Sequence, residues 1–426
     1  MPLAALTLAA ILFATLAVGA WIWASLVFTG FVSLSLFRDI PVEKLLAPNF
    51  IDTATSEALL VLPLFILMAE ILFRSRLSTL LFQGLTPLSS YLPGQLLHAN
   101  VFGCTLFAAT CGSSAATTLT VGRVTYKELV GRGYDRTLVM GTLAGPGTLG
   151  LLIPPSTILI VYGVLSETSI LKLFLSGFVP GVLLALTFSA YVIVRAKMKS
   201  SLVPATDQRF GLVYTLRELM KVAPIIGLIG LIMGAMYFGI ASPTETATFG
   251  VVGACLISLS QRTLTMAALR EALVGTVHTT SMLGLIIAAA VFLSTAMGFL
   301  GVPQAVARLL EPFTQSPYLL VALLLVFYVV LGCFLEGVSI IVMTLPIVLP
   351  LVTQAGFDPL WFGIFLVLVV EMAQITPPLG FNIFVLQSLT NEPLSRIIRS
   401  IIPFFLILVG FVAFITAFPS VAMLGK

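Results

Sequence analysis

Residues 141–180 read GTLAGPGTLGLLIPPSTILIVYGVLSETSILKLFLSGFVP. The stretch is apolar enough to lie in a bilayer, yet Gly145, Pro146, Gly147, Gly150, Pro154 and Pro155 interrupt it. Proline removes a backbone donor and clashes with the preceding turn. In lipid an unpaired backbone group is costly, so a broken helix at membrane depth persists only where protein buries it or it lines a cavity. Such breaks are where transporters place their binding sites.

The stretch has a twin, EMAQITPPLGFNIFVLQSLTNEPLSRIIRSIIP, at residues 371–403. Pro154 and Pro377, Pro180 and Pro403, and Gly133 and Gly356 are all 223 residues apart. One register held at three landmarks indicates a tandem duplication.

Composition fixes the class. Of 426 residues, 59% are hydrophobic and 9% charged, against about 25% charged in soluble domains, and the mean hydropathy is +1.14. Apolar runs of about 20 residues recur, so the chain is an all-α polytopic membrane protein rather than a barrel. The net charge of +4 suggests no nucleic-acid partner, and the basic residues fall in loops as orientation signals. The N-terminus lacks the basic region of a cleaved signal peptide and reads as a first span. Cys104, Cys111, Cys255 and Cys333 lie in apolar segments without metal-ligand spacing and read as buried thiols. The two histidines, His98 and His278, are far apart in sequence.

The expected architecture is two inverted repeats, each with five transmembrane helices and a re-entrant helical hairpin. Repeat one covers 1–194, with spans at about 3–18, 21–37 and 54–74, an amphipathic piece at 75–95, a hairpin at 98–124, a broken helix at 138–165 and a span at 170–194. Residues 195–221 form a basic linker. Repeat two covers 222–426, with spans at about 223–241, 246–260 and 273–297, an amphipathic piece at 303–317, a hairpin at 319–352, a broken helix at 361–387 and a span at 400–420. An odd number of crossings per copy inverts one copy relative to the other. Charge agrees. The loop after the first hairpin holds Arg123, Lys127, Arg132 and Arg136, whereas its counterpart TQAGFDPLWFG holds no Lys or Arg. The positive-inside rule makes the first loop, the 195–221 linker and the 388–399 turn cytoplasmic, with both termini outside. Arg38 and Lys44, on the outer side, run against the scheme.

Two hairpin tips and two breaks meeting near the midplane supply the chemistry. Half-helix N-termini attract anions, and freed carbonyls and hydroxyls coordinate Na⁺. The candidate substrate and ion residues are Gly112, Ser113 and Ser114 at the first tip, and Gly145, Thr148, Pro154, Pro155 and Ser156 at the first break. In the second copy they are Glu336, Gly337 and Ser339 at the tip, with Thr376, Pro377, Pro378, Gly380 and Asn382 at the break. Na⁺ is placed near Ser113 and Ser114 and near Thr376 and Asn382. Glu70, Glu245, Glu336 and Glu371 are acids in or near the membrane and so functional candidates by default. For Glu336, hydrogen bonding to the tip backbone is the competing reading.

PGTLGLLIPPSTILIVYGVLSETSILKLFLSGFVPG, together with GSSAATT, RGYDR, SPTETAT, FLEGVSIIVMTLPIVLP and GFDPLWFGIFLVLVVEMAQITPPLGFNIFV, closely resembles the large permease (M) subunit of tripartite ATP-independent periplasmic (TRAP) transporters, the DctM-like family. The resemblance covers essentially the whole chain. It implies an elevator-type secondary transporter of the ion-transporter superfamily, in which a core of hairpins and broken helices carries substrate and Na⁺ against a scaffold. It implies two partners, a small four-helix Q subunit and a periplasmic substrate-binding P protein. With no additional four-helix block at its N-terminus, the chain is expected to meet Q as a separate polypeptide.

The reading is a membrane permease in a bacterial inner membrane. It imports a small organic anion (a C4-dicarboxylate, sialic acid or other sugar acid, or a sulfonate), with Na⁺ as the coupling ion and no other cofactor. The chain has no GxxxxGK[ST] motif for ATP hydrolysis. The alternatives are a stand-alone or H⁺-coupled carrier of similar architecture, a passive channel, and a membrane-embedded enzyme, which two isolated histidines equip poorly.

Overall fold

A computed structural model of the chain describes residues 2–38, 41–204, 210–306, 308, 316–377 and 380–424. The described residues form helices and connecting turns, with no strand among them. Four helices are individually long and apolar enough to cross a bilayer: Ile170–Met198, Met266–Leu300, Gly337–Gln354 and Leu394–Ala417. Two bent pairs pass together, Glu43–Ala54 with Glu57–Phe73 at 49° and Leu212–Leu219 with Ala223–Tyr237 at 55°. Pro2–Ala17 and Ile22–Phe37 are 16 residues each, about 24 Å at 1.5 Å per residue.

The two halves repeat one order of elements. Leu96–Cys111 and Ser114–Gly131 make the first hairpin, and Pro317–Leu331 and Gly337–Gln354 the second. Arg136–Thr148 and Thr157–Ser166 are the arms of the first broken helix, and Pro359–Gln374 and Phe381–Thr390 those of the second. Local conformation repeats as well. Gly133 and Gly356 both turn at positive φ, +90° and +91°, a conformation glycine reaches without strain. Two residues later Asp135 and Asp358 each cap the next helix, accepting from Leu138 N and Leu360 N at 2.8 Å. The sequence landmarks are therefore backbone landmarks.

Burial places the broken helices at the centre. Every residue from Leu360 to Gln374, and from Leu138 to Thr148, is buried, while spans such as Ala223–Tyr237 expose Ile226 and Leu231. Without a hydrophobic drive between helices in lipid, close packing depends on small residues. A Cβ on Gly141 or Gly145 would lie 2.5 or 2.4 Å from the Phe404 ring, and one on Gly332 would lie 2.0 Å from Ala373 Cβ.

Several expected boundaries shift. The second arm of the first hairpin runs on to Gly131 rather than ending near 124, because Arg123, Lys127 and Glu128 sit on a helix that still buries Thr125, Tyr126 and Leu129. The third span starts earlier, at Glu43, with a bend at its middle. The linker is partly helical: Ile170–Met198 carries Arg195 and Lys197 in its last turn, and Leu212–Leu219 forms a helix of its own. In the second copy the third span extends over Met266–Leu300, 35 residues. The first amphipathic piece is Leu77–Ser89, which buries Leu77, Leu81, Phe82 and Leu85. The second, at 303–317, lies mostly outside the described residues. Gly337–Gln354 meets the length of a full crossing, so length alone does not make it re-entrant.

Arg38 has a local reason for its position. Its Nε donates to Phe299 O at 3.0 Å, near the end of Met266–Leu300, where a cation meets unsatisfied carbonyls and the negative end of the helix dipole.

Candidate functional site

The first tip and the first break interlock through backbone. Gly112 ends Leu96–Cys111 in the left-handed region at φ +59°, and a Cβ there would lie 3.1 Å from Pro155 O. Thr157 Oγ1 donates to Gly112 O at 3.2 Å. Ser113 caps the second arm, accepting from Ala116 N at 3.5 Å, and a Cβ on Gly150 would lie 3.0 Å from Ser113 C.

Local hydroxyls satisfy the groups freed at the break. Thr148 Oγ1 donates to Gly145 O at 2.8 Å, and Ser156 donates to Leu151 O while capping Leu159 N. These bonds answer the backbone accounting that any interrupted helix faces.

In the second copy Glu336 caps Gly337–Gln354, its Oε2 accepting from Val338 N at 3.1 Å. The backbone-bonding reading of Glu336 therefore holds in the geometry. Tyr328 and Thr344 tie the two hairpin arms at 3.0 Å. A Cβ on Gly337 would lie 2.7 Å from Val370 and 2.9 Å from Ile158, so this tip touches both broken helices. Ser339 is buried beside it. At the second break Thr376 Oγ1 turns back to Met372 O at 2.8 Å. A Cβ on Gly380 would lie 2.5 Å from Gln374 O. Pro377 is described; Pro378 lies outside the described residues.

Asn382 joins the copies. Its Nδ2 donates to Ser114 Oγ at 2.6 Å, with both groups buried. Asn382 Oδ1, Gln374 Oε1 and both oxygens of fully buried Glu371 lack a hydrogen-bond partner. Orphaned buried oxygens of this kind fit a hard monovalent cation or a proton, since an unpaired buried polar group is otherwise costly.

A cavity of about 440 Å³ opens in front of these elements. One side presents Gly112, Ser113, Ser114, Thr157, Glu336 and Gln374; the other presents Glu70, Arg74, Thr279 and Met282 from Val61–Phe73 and its end and from Met266–Leu300.

A model of the family described as "Tripartite ATP-independent periplasmic transporter, DctM component" matches residues 9–421. The chain belongs to the DctM family. It is 32% identical over 400 residues to the C4-dicarboxylate TRAP transporter large permease protein DctM of Pseudomonas aeruginosa, covering 94% of this chain and 93% of the relative. It is 27% identical to the sialic acid TRAP transporter large permease protein SiaM of Vibrio cholerae, covering 94% and 93%. The isethionate TRAP transporter permease protein DctMQ of Oleidesulfovibrio alaskensis is 29% identical over 78% of this chain and 52% of that protein. Among solved structures, the Alcanivorax borkumensis YdaH transporter superposes with TM-score 0.62 at 16% identity, covering 89% of each chain, a likeness of fold.

In this DctM permease, Gly112, Ser113, Ser114 and Glu336 of the tip and break candidates, and Glu70 of the membrane acids, line the cavity. The other tip and break candidates do not. Gly145, Thr148, Ser156, Ser339 and Asn382 are buried behind its wall. Pro154, Pro155, Gly337, Thr376, Pro377 and Gly380 shape the breaks and the second tip. Glu245 is corrected from a functional acid to a helix cap: Ser242 and Glu245 form a reciprocal capping box at the start of Pro243–Ser260, on an exposed turn. Arg74 pairs with Glu70, reaches Glu271 at 3.5 Å and lines the cavity. The i,i+4 spacing of Glu70 and Arg74 was the available signal. Gln374 was missed, although it is a polar residue in an otherwise apolar run.

Proposed function

We propose that this large permease is the membrane component of a Na⁺-coupled, binding-protein-dependent importer of small organic anions. The observation that carries the reading is the joining of both tips and both breaks into one body, fastened by Asn382 and Ser114, across a cavity from the continuous spans. The buried oxygens of Asn382 and Gln374 that lack partners suit a coupling ion. The body then carries substrate by an elevator motion past Val61–Phe73 and Met266–Leu300.

The substrate class follows from relatives whose names specify C4-dicarboxylate, sialic acid and isethionate transport. The family name and the DctMQ relative support a small Q permease component and a P protein as partners. Inverted repeats over 1–194 and 222–426, in a bacterial inner membrane with both termini outside, are supported by the repeated order of elements. The gathering of Asp135, Arg195, Lys199 and Arg399 around one cleft supports their shared cytoplasmic side.

The test is uptake into proteoliposomes containing the Q and P partners. An inward Na⁺ gradient should be required, and equal uptake with choline in place of Na⁺ at constant pH overturns the proposal. Proton coupling is the second reading, favoured by Glu371 with both oxygens unpartnered. It requires uptake that follows a pH gradient in the choline medium.

A further inference from the structure

Away from the cavity, a cleft of about 360 Å³ lies between the end of Ile170–Met198 and the beginning of Leu394–Ala417, with Asp135 and Thr137 at its edge. Arg195 and Lys199 enter from one span and Arg399 from the other, beside Tyr191. Two sequence-distant segments therefore converge three cations. The ion pairs among the described residues engage Arg74, Arg132, Arg136, Lys221 and Arg396, and none of these three. Among the described residues Asp135 is the one acid lining the cleft, and its Oδ1 already accepts from Leu138 N. Like charges gathered around a concavity repel unless an anion sits among them.

The surroundings indicate which anion. Beyond the cleft, toward the middle of each span, exposed side chains turn apolar: Leu186 and Val194 on one helix, Ile402 and Leu406 on the other. A basic recess above apolar helix faces has the polarity profile of a phospholipid, headgroup over acyl chain, and basic pockets between spans hold such headgroups. We propose that this cleft binds the phosphate of an anionic phospholipid, held by Arg195, Lys199 and Arg399. The site touches the moving parts. Phe404 lines the cleft and packs against Gly141 and Gly145 of the first broken helix, so an occupied cleft braces that joint.

The experiment is thermal unfolding of the purified permease in detergent, titrated with dioctanoyl-phosphatidylglycerol, dioctanoyl-phosphatidylcholine or inorganic phosphate. Phosphatidylglycerol should stabilise the protein, and phosphatidylcholine should not. Each surface cation contributes about fivefold to binding of an anionic lipid, so R195Q/R399Q should raise the phosphatidylglycerol midpoint by about 30-fold. K197Q, at an exposed lysine of the same turn outside the cleft lining, controls for loss of one charge and should move it far less. If the double variant fails to fold, K199Q decides, with about fivefold weakening expected. Equal stabilisation by the two lipids, or unchanged midpoints in R195Q/R399Q or K199Q, overturns the proposal. Stabilisation by inorganic phosphate equal to that by phosphatidylglycerol would assign the cleft to a free anion and overturn the lipid.

Discussion

Asn382 and Ser114, 268 residues apart, share a buried 2.6 Å hydrogen bond that fastens the second broken helix to the first hairpin tip. Each residue lies just beyond an interruption, where a helix restarts. A bond at that place does two things: it holds the two copies in register and fixes the Asn382 carbonyl oxygen, which has no partner of its own. A double-mutant cycle with S114A and N382A, read by thermal unfolding in detergent, should give a coupling of about 1 kcal/mol, the range of interhelical bonds in membranes. Additive single effects would show that the bond contributes nothing.

A side chain at Gly145 should collide with Phe404. The added Cβ would lie 2.4 Å from the ring, and both neighbours are buried. Overpacking in a fitted core costs about 1–3 kcal/mol, so G145A should unfold at lower temperature and transport less. F404L should restore part of the loss in the double variant by vacating the ring. Failure of F404L to rescue would place the defect elsewhere than at this contact.

Much of this was legible in the sequence. Proline pairs and glycines at one offset marked the breaks because proline's missing donor and glycine's positive φ are properties of single residues. Gly133 and Gly356, with Asp135 and Asp358 two residues on, came through as repeated turns and caps for the same reason. What was not legible depends on three-dimensional neighbours. No spacing rule announces that Asn382 meets Ser114, or that Glu392 collects Arg136 and Tyr126 from the other half. Glu245 misled because its place near a span end looked functional, whereas its role is set by Ser242, three residues before it.

Glu392 should make stability depend on pH. The carboxylate lies in the turn before Leu394–Ala417 and accepts from Arg136 Nη1 at 2.9 Å, from Tyr126 OH at 3.2 Å and from Arg396. Burial works against its charge, but the Arg136 bond, the Arg396 charge and bond and the Tyr126 hydroxyl outweigh it and hold the carboxyl below the ordinary glutamate range. A depressed folded-state pKa contributes stability that is present above the unfolded value and lost as pH falls through the folded one. The thermal stability of the wild type should therefore fall on acidification from neutral pH to below the usual glutamate pKa. E392Q should be less stable at neutral pH by about 1–3 kcal/mol and show a shallower acid dependence. Parallel pH profiles for the two proteins would remove Glu392 from this role.

Finally, the hairpins and broken helices should move as one body. Asn100, in the first arm of the first hairpin, donates from Nδ2 to Thr142 Oγ1 in the first broken helix at 3.1 Å, with both residues buried. The tip and the break also share the Thr157–Gly112 bond and the close approach of Gly150 to Ser113. Separating these elements during a cycle would strand several buried polar groups, at about 1–3 kcal/mol each, whereas moving them together keeps every contact. Across the cavity the relation is different: Met282 belongs to Met266–Leu300 and Val338 to the second hairpin, and they face one space rather than sharing a bond. In a background with Cys104, Cys111, Cys255 and Cys333 replaced, the pair N100C/T142C should form a disulfide and retain uptake. The pair M282C/V338C, joined by a bismaleimide of matching length, should stop uptake while leaving the unfolding temperature unchanged. Loss of transport from the first crosslink with the fold intact, or free transport through the second, would show that the tip and the break part company during the cycle or that the hairpin does not travel past the span.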